Sequence, residues 1–222
     1  IPALVLLFIA SLFFSFASAL KGIIMGLLVL AAFFEGSPRQ KLYLLKERKY
    51  IWFMVAFAVW LIISFLTSAN KSDGARFLEL RVPLMAFPLS LGLTRLTKEQ
   101  RNSILLGTAI IVTIACLISA TYAVTRYWDK NDTAWLYNDG VTYFVGQQSI
   151  YTSILVNISI YVFAYYLFFH GFSKGRKLAL AAGLLFLFII SYLLASRIMM
   201  VVLYTTTIIF SFYIILTRKK YL

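Results

Sequence analysis

The stretch LALAAGLLFLFIISYLLASRIMMVVLYTTTIIFSFYIILT, residues 178–217, is almost wholly apolar except for Ser196 and Arg197 near its middle. A helix rises about 1.5 Å per residue, so this run would extend about 60 Å as one helix, roughly twice the hydrocarbon thickness of a bilayer. Two spans must therefore meet at Ser196 and Arg197. An arginine at such a turn is either a snorkelling anchor or a positive charge placed at a helix start, and what it faces becomes the functional question.

Composition agrees with this reading. Of 222 residues, 62% are hydrophobic and 13% charged, against about a quarter charged in soluble domains. The apolar runs are continuous over about 20 residues rather than alternating over about ten, which predicts an all-α polytopic transmembrane bundle and excludes a β-barrel. The net charge of +13 is spread over loops rather than gathered on one soluble face, so nucleic acid is not an expected partner. Cys116 stands alone inside an apolar run, which leaves no disulfide framework and no metal set.

Working outward from residues 178–217, eight spans are expected. Ala3 to Phe34 is long for one span and reads as two short ones turning near Ser18 to Lys21. Tyr50 to Thr67, Arg76 to Leu93, Ser103 to Val124 and Ile150 to Phe169 follow. Leu178 to Ala195 and Ile198 to Thr217 complete the set. Fourteen Lys and Arg residues fall in Glu35 to Lys49, Thr94 to Asn102, Gly171 to Lys177 and the terminus after Thr217, while seven fall on the other side. The excess predicts that both ends are cytoplasmic. The loop from Thr125 to Ser149, aromatic and acidic, is then external.

Arg76, Arg81 and Arg197 lie at or inside the starts of apolar segments, where a charge is costly unless it faces a cavity or a partner. Arg76 can pair with Glu79 on one helix face. Arg81 lies about 140° around the helix from Arg76, too far for the same carboxylate to serve both easily. Ser196 is a favoured helix cap, so Arg197 would combine a guanidinium with the positive end of a helix, a setting suited to a phosphate. Snorkelling explains Arg197 and Arg81 comparably well. In the external loop, Trp135 could stack on sugar rings and Asp139 could act as a base or cation ligand. The bland readings are interfacial anchoring for the aromatic residues and solvation for the aspartates. The single histidine, His170, falls at the opposite end from Arg197 and is read as non-catalytic.

Three stretches resemble a known family. RFLELRVPLMAFP at 76–88, GQQSIY at 146–151 and LLASRIMM at 193–200 are similar, in their order and topology, to stretches of the bacterial O-antigen ligase and polymerase-like proteins. These are membrane glycan transferases that use undecaprenyl-pyrophosphate-linked sugars. The first resembles that group's kinked arginine-bearing segment, and the last resembles the Ser-Arg opening of its ligase domain.

The resemblance implies a single transmembrane domain over residues 1–222, with six spans before residue 178 and a truncated ligase-like start at 178–222. It implies an inner-membrane location and an undecaprenyl-pyrophosphate-linked glycan as donor, with a glycan or lipid acceptor and membrane lipids as the other partners. No metal or other cofactor is implied. Arg197, with Arg81 or Arg76, would hold the pyrophosphate, Ser196 would cap the helix, and Gln147, Gln148, Trp135 and Asp139 would be near the glycan. Relatives often carry histidine where this chain has Gln147 and Gln148. Their catalytic histidine lies in a later outer loop, so the chain is expected to lack its own general base. A transporter or lipid-carrier flippase, or a non-catalytic membrane assembly subunit, are the rival expectations.

Overall fold

The computed structural model describes residues 1–14, 18–68 and 70–218, with all their side chains except those of 18, 50, 79–80, 82–89, 213–214 and 217–218. It is all-helical, with no strand among the described residues. Three helices are long and apolar enough to cross a membrane: Lys98–Lys130, Ser149–Phe169 and Lys174–Leu193. A fourth is reached if Ala19–Phe34 and Pro38–Glu47, which meet at 103°, form one broken span. Pro2–Leu12, Ile51–Thr67 and Arg197–Phe212 are apolar but shorter.

The chain divides into two compact units, Ile1–Phe8 with Ala17–Arg101 and Ile9–Phe16 with Asn102–Leu222. Helix α1 (Pro2–Leu12) contributes to both. The first unit continues with α2 (Ser18–Phe34), α3 (Pro38–Glu47), α4 (Tyr50–Thr67) and α5 (Lys71–Gly92). Helix α2 begins at Ser18, so Lys21 lies in its first turn rather than in a connecting turn. The sharp bend into α3 is made by Gly36 at φ +81°, a backbone conformation that costs glycine little, followed by Ser37 capping Gln40 N and Pro38 in the first helical turn.

Helix α5 packs on α2 and α4. It is capped at its start by the Asn70 side chain, which accepts from Ser72 N and Asp73 N. At its end Arg48 donates to the carbonyls of Gly92 and Thr94 at 2.7 and 3.2 Å, a cation placed on the negative end of a helix. The helix runs from Lys71 to Gly92 without ending at either Pro83 or Pro88.

The second unit is built from α6 (Lys98–Lys130), α8 (Ser149–Phe169), α9 (Lys174–Leu193) and α10 (Arg197–Arg218). Between α6 and α8 lie a 3-10 turn (Thr133–Leu136) and a single helical turn, α7 (Asp139–Thr142). Helix α6 opens with a capping box in which Thr97 Oγ1 accepts from Gln100 N and Gln100 Oε1 accepts from Thr97 N. It runs on to Lys130, well past the expected end of its span near Val124.

Helices α8 and α9 pack along each other. Gly183 lets them approach, since a Cβ there would stand 2.9 Å from a ring carbon of buried Phe163. The core of this unit gathers Val112 and Cys116 of α6, Val156, Ile160 and Phe163 of α8, and Leu187 and Ile190 of α9. Val141 and Val145 belong to the same core. The loop therefore folds back into the end of the bundle instead of standing wholly in solvent.

Gly183→Val forces Phe163 off its site, and overpacking of this kind costs about 1–3 kcal/mol. A lower thermal unfolding midpoint in detergent is expected; an unchanged midpoint would show that α8 and α9 do not need this close approach.

Candidate functional site

The end of the second unit that carries the 131–148 loop holds Arg197. Helix α9 ends as Leu194 N donates to Ile190 O at 2.9 Å and Ala195 N to Tyr192 O at 3.1 Å. Ala195 takes a left-handed conformation, φ +49°, which costs a residue with a Cβ about 1–2 kcal/mol. Its neighbours hold it there. Leu194 is fully buried, and the carbonyl of Leu193 accepts from Asn138 N at 2.9 Å.

Ser196 O accepts from Met200 N at 2.9 Å, so α10 begins on Ser196 as its cap residue. The cap is made by the backbone: among the described residues no hydrogen bond reaches the Ser196 hydroxyl. Arg197 is the first residue of α10. It is exposed, has no acidic residue in its helical turn, and makes no ion pair among the described residues.

What sets the height of that helix start is a polar contact inside the bundle. Asn157 of α8 donates Nδ2–H to Met199 O of α10 at 2.9 Å, and Tyr161, one turn on, donates its hydroxyl to Leu203 O at 2.7 Å. Both partners are 42 residues on, so α8 and α10 run parallel with matched register. Ser191 of α9 donates to Asn157 Oδ1 at 3.4 Å, and the Tyr161 hydroxyl also meets Thr207 Oγ1 at 3.2 Å. Asn157 carries no charge to mark it within the apolar run. Its signal was available, because it is the one side-chain amide within the apolar run Ser149–Phe169.

The loop residues expected near a glycan have structural partners. Gln147 is half-buried and donates Nε2–H to Leu12 O at 2.9 Å. Gln148 is exposed, and its carbonyl accepts from Tyr151 N and Thr152 N at the start of α8. Asp139 accepts from Ser149 N at 2.8 Å and so places its carboxylate on the positive end of α8. Ser149 Oγ in turn donates to Asn138 Oδ1 at 2.6 Å. Trp135 meets the Tyr143 ring edge-on at 5.1 Å, with the Lys130 ammonium 4.8 Å from its centroid.

Gly140 is required at the loop's tightest point, where any Cβ would strike the Ala134 carbonyl and the Trp135 backbone. Asn138 joins this loop to Leu193, so Asp139 and the turn leading to Arg197 lie at the same end of the unit.

Arg76 and Arg81 belong to the first unit. Arg76 is exposed, and the side chain of Glu79, its expected partner, lies outside the described residues. Arg81 is half-buried, with its guanidinium carbon 3.2 Å from the centroid of the Phe77 ring one turn earlier, a cation–π contact.

His170 ends α8 at the far end from Ser149, with its ring 4.5 Å from that of Tyr166 and 5.6 Å from that of Phe172. Among the described residues no group of three His, Cys, Asp or Glu side chains could hold a metal ion. Comparison with protein-family models, with curated proteins and with solved structures gives no match.

Two outcomes test this arrangement. Gly140→Ala displaces the loop from the bundle, so limited proteolysis within 131–148 should accelerate while cleavage elsewhere does not. Asn157→Leu removes two interhelical hydrogen bonds, to Met199 O and from Ser191 Oγ, and should lower stability by about 1 kcal/mol, at about 0.6 kcal/mol for each bond inside helical membrane proteins, as read by unfolding in mixed micelles.

Proposed function

We propose that this chain is part of an inner-membrane glycan ligase or polymerase of the O-antigen ligase kind, and that Arg197 binds the pyrophosphate of a lipid-linked sugar donor. The observation that carries this reading is the exposed Arg197 on the first turn of α10, without a carboxylate partner among the described residues. A helix start with free N–H groups beside a guanidinium favours phosphate oxygens. In the same reading the chain crosses the membrane eight times, both ends are cytoplasmic, and the 131–148 end is external, as the two-to-one distribution of Lys and Arg favours.

The reaction would be attack by an acceptor hydroxyl on the anomeric carbon. The bond from that carbon to the pyrophosphate oxygen breaks, and the electron pair leaves with the pyrophosphate. Negative charge on the leaving oxygen grows as the bond lengthens, and Arg197 lowers the barrier by interacting more strongly with that charge than with the ground state. Arg81 and Arg76 are second candidates for the same anion, each to be tested singly. The acceptor's hydroxyl proton passes to the departing pyrophosphate or to water, and no residue of this chain is assigned as its base.

Glycan transfer by the full protein should fall by about two to three orders of magnitude in Arg197→Ala, the loss typical of removing one stabilising donor. Arg197→Lys should restore only part of it, because an ammonium cannot make the bidentate contact. Activity equal to wild type in Arg197→Ala, with normal membrane abundance, would overturn the assignment.

A further inference from the structure

Helix α3 (Pro38–Glu47) leaves α2 at 103°. Its ten residues include Arg39, Lys41, Lys46 and Glu47, and charges are costly in the hydrocarbon. Four in one short helix keep it from serving as the second half of a broken span. With α2 standing across the membrane, a helix at nearly a right angle to it lies along the membrane surface.

The neighbouring helix ends fix its depth. Phe33 and Phe34 at the end of α2, and Trp52 and Phe53 in the first turn of α4, are all exposed, as aromatic side chains at the edge of the hydrocarbon are. Helix α3 joins these two ends, at headgroup level.

Its faces differ in kind. Arg39, Leu42, Tyr43 and Lys46, spaced i, i+3, i+4 and i+7, share one side of the helix. Leu44 lies on the opposite side and is buried. Arg39 and Lys46 are exposed, and Leu42 and Tyr43 are 60% and 56% exposed. The open face thus sets two apolar side chains between two cations, the composition of helices that lie on anionic membranes.

The cations of this segment divide into two groups. Lys41 donates to Phe33 O, and Arg48 to Gly92 O and Thr94 O, so both are engaged with the carboxyl ends of helices. Arg39, Lys46 and Lys49 are exposed and make no hydrogen bond or ion pair among the described residues. Arg95 adds its guanidinium carbon 5.4 Å from the centroid of the Tyr43 ring. Residues 35–49 hold five cations against the two carboxylates Glu35 and Glu47, so the surface stays positive. A soluble anion would match the cations alone, whereas a lipid also covers Leu42 and Tyr43.

We propose that α3 is an interfacial helix that binds anionic phospholipid, with Arg39, Lys46 and Lys49 on headgroup phosphates and Leu42 and Tyr43 against the upper acyl chains. The site rests on α2 and α4 crossing the membrane, as in the eight-span reading, and not on glycan transfer.

The test uses the full chain in phosphatidylcholine vesicles, with a bimane on Leu42→Cys, or on Ile62→Cys within α4 as reference. Cys116→Ala removes the native thiol, and Cys116→Ser replaces it if the melting midpoint shifts. Traces of phosphatidylglycerol or phosphatidylcholine carrying a nitroxide high on one acyl chain are the quenchers. At residue 42 both should quench, phosphatidylglycerol at a mole fraction lower by about tenfold or more. At residue 62 the two should quench alike. Arg39→Gln and Lys46→Gln should each cut the preference at residue 42 by about fivefold, the weight of one cation beside an anionic surface. Lys46→Arg should retain it, and added salt should weaken it.

No quenching at residue 62 overturns the crossing of α4 and this proposal with it. With residue 62 quenched, three results overturn the proposal alone: no quenching at residue 42, equal quenching there by the two lipids, or a preference unchanged in both glutamine variants.

Discussion

The register between α8 and α10 rests on two side chains, Asn157 and Tyr161, that reach backbone carbonyls one turn apart on the neighbouring helix. Where the environment is apolar on every side, burial alone does not choose between positions of one helix along another. Two hydrogen bonds at matching spacing do choose. Sliding α10 by part of a turn would break both bonds together, and a slide of a whole turn, about 5.4 Å, which brings equivalent carbonyls opposite Asn157 and Tyr161, would still separate Tyr161 from Thr207 Oγ1. Each bond is modest, about 0.6 kcal/mol on average in such settings, so their role is specificity of register more than strength. The position of Arg197 follows from that register, since it is two residues before Met199.

The same end of this unit presents two parallel helix starts with different fates. The N-terminus of α8 is occupied: Asp139 accepts from Ser149 N, and Asn138 holds the Ser149 hydroxyl. The N-terminus of α10 has neither an acidic residue in its first turn nor a side-chain bond to its cap among the described residues. A negative charge supplied by the chain thus offsets one helix dipole, while at the other the chain adds a positive charge. That contrast, more than the presence of an arginine alone, is what distinguishes Arg197 from the many cations of the loops.

The long apolar helices were legible in the sequence because continuous apolar runs leave little choice: α8 and α9 lie within a few residues of their expected bounds. The break at Ser196 and Arg197 was legible for the same reason, as a single polar interruption in a run too long for one span. The bend after Phe34 and the helix Pro38–Glu47 were not read from a stretch that charge alone marked as a loop. Its Ser37 and Pro38 carried a helix-start signal that the charge count hid.

The loop was the larger gap. Its tyrosines, tryptophans and aspartates suggested a solvated external segment, yet Val141, Thr142 and Val145 are buried, and Ser119 of α6 donates to Val141 O at 2.7 Å. Nothing local signals this. The partners lie on other helices, and only the assembled bundle offers them. At Asn157 an uncharged amide, not a charge, carries the helix contact inside the bundle.

The bonds that anchor the 131–148 loop have a consequence for how the chain is made. Asn138 binds Leu193, which is synthesised 55 residues later, and Gln147 binds Leu12, made long before. When ribosomal synthesis has delivered the loop to its side of the membrane, half of its seat does not yet exist. Val141 and Val145 can meet α6 before that, since Ser119 donates to Val141 O, but their packing is completed only when Leu187, Ile190 and Leu194 of the α9 segment are in place. The final seating of this loop therefore follows the making of α9.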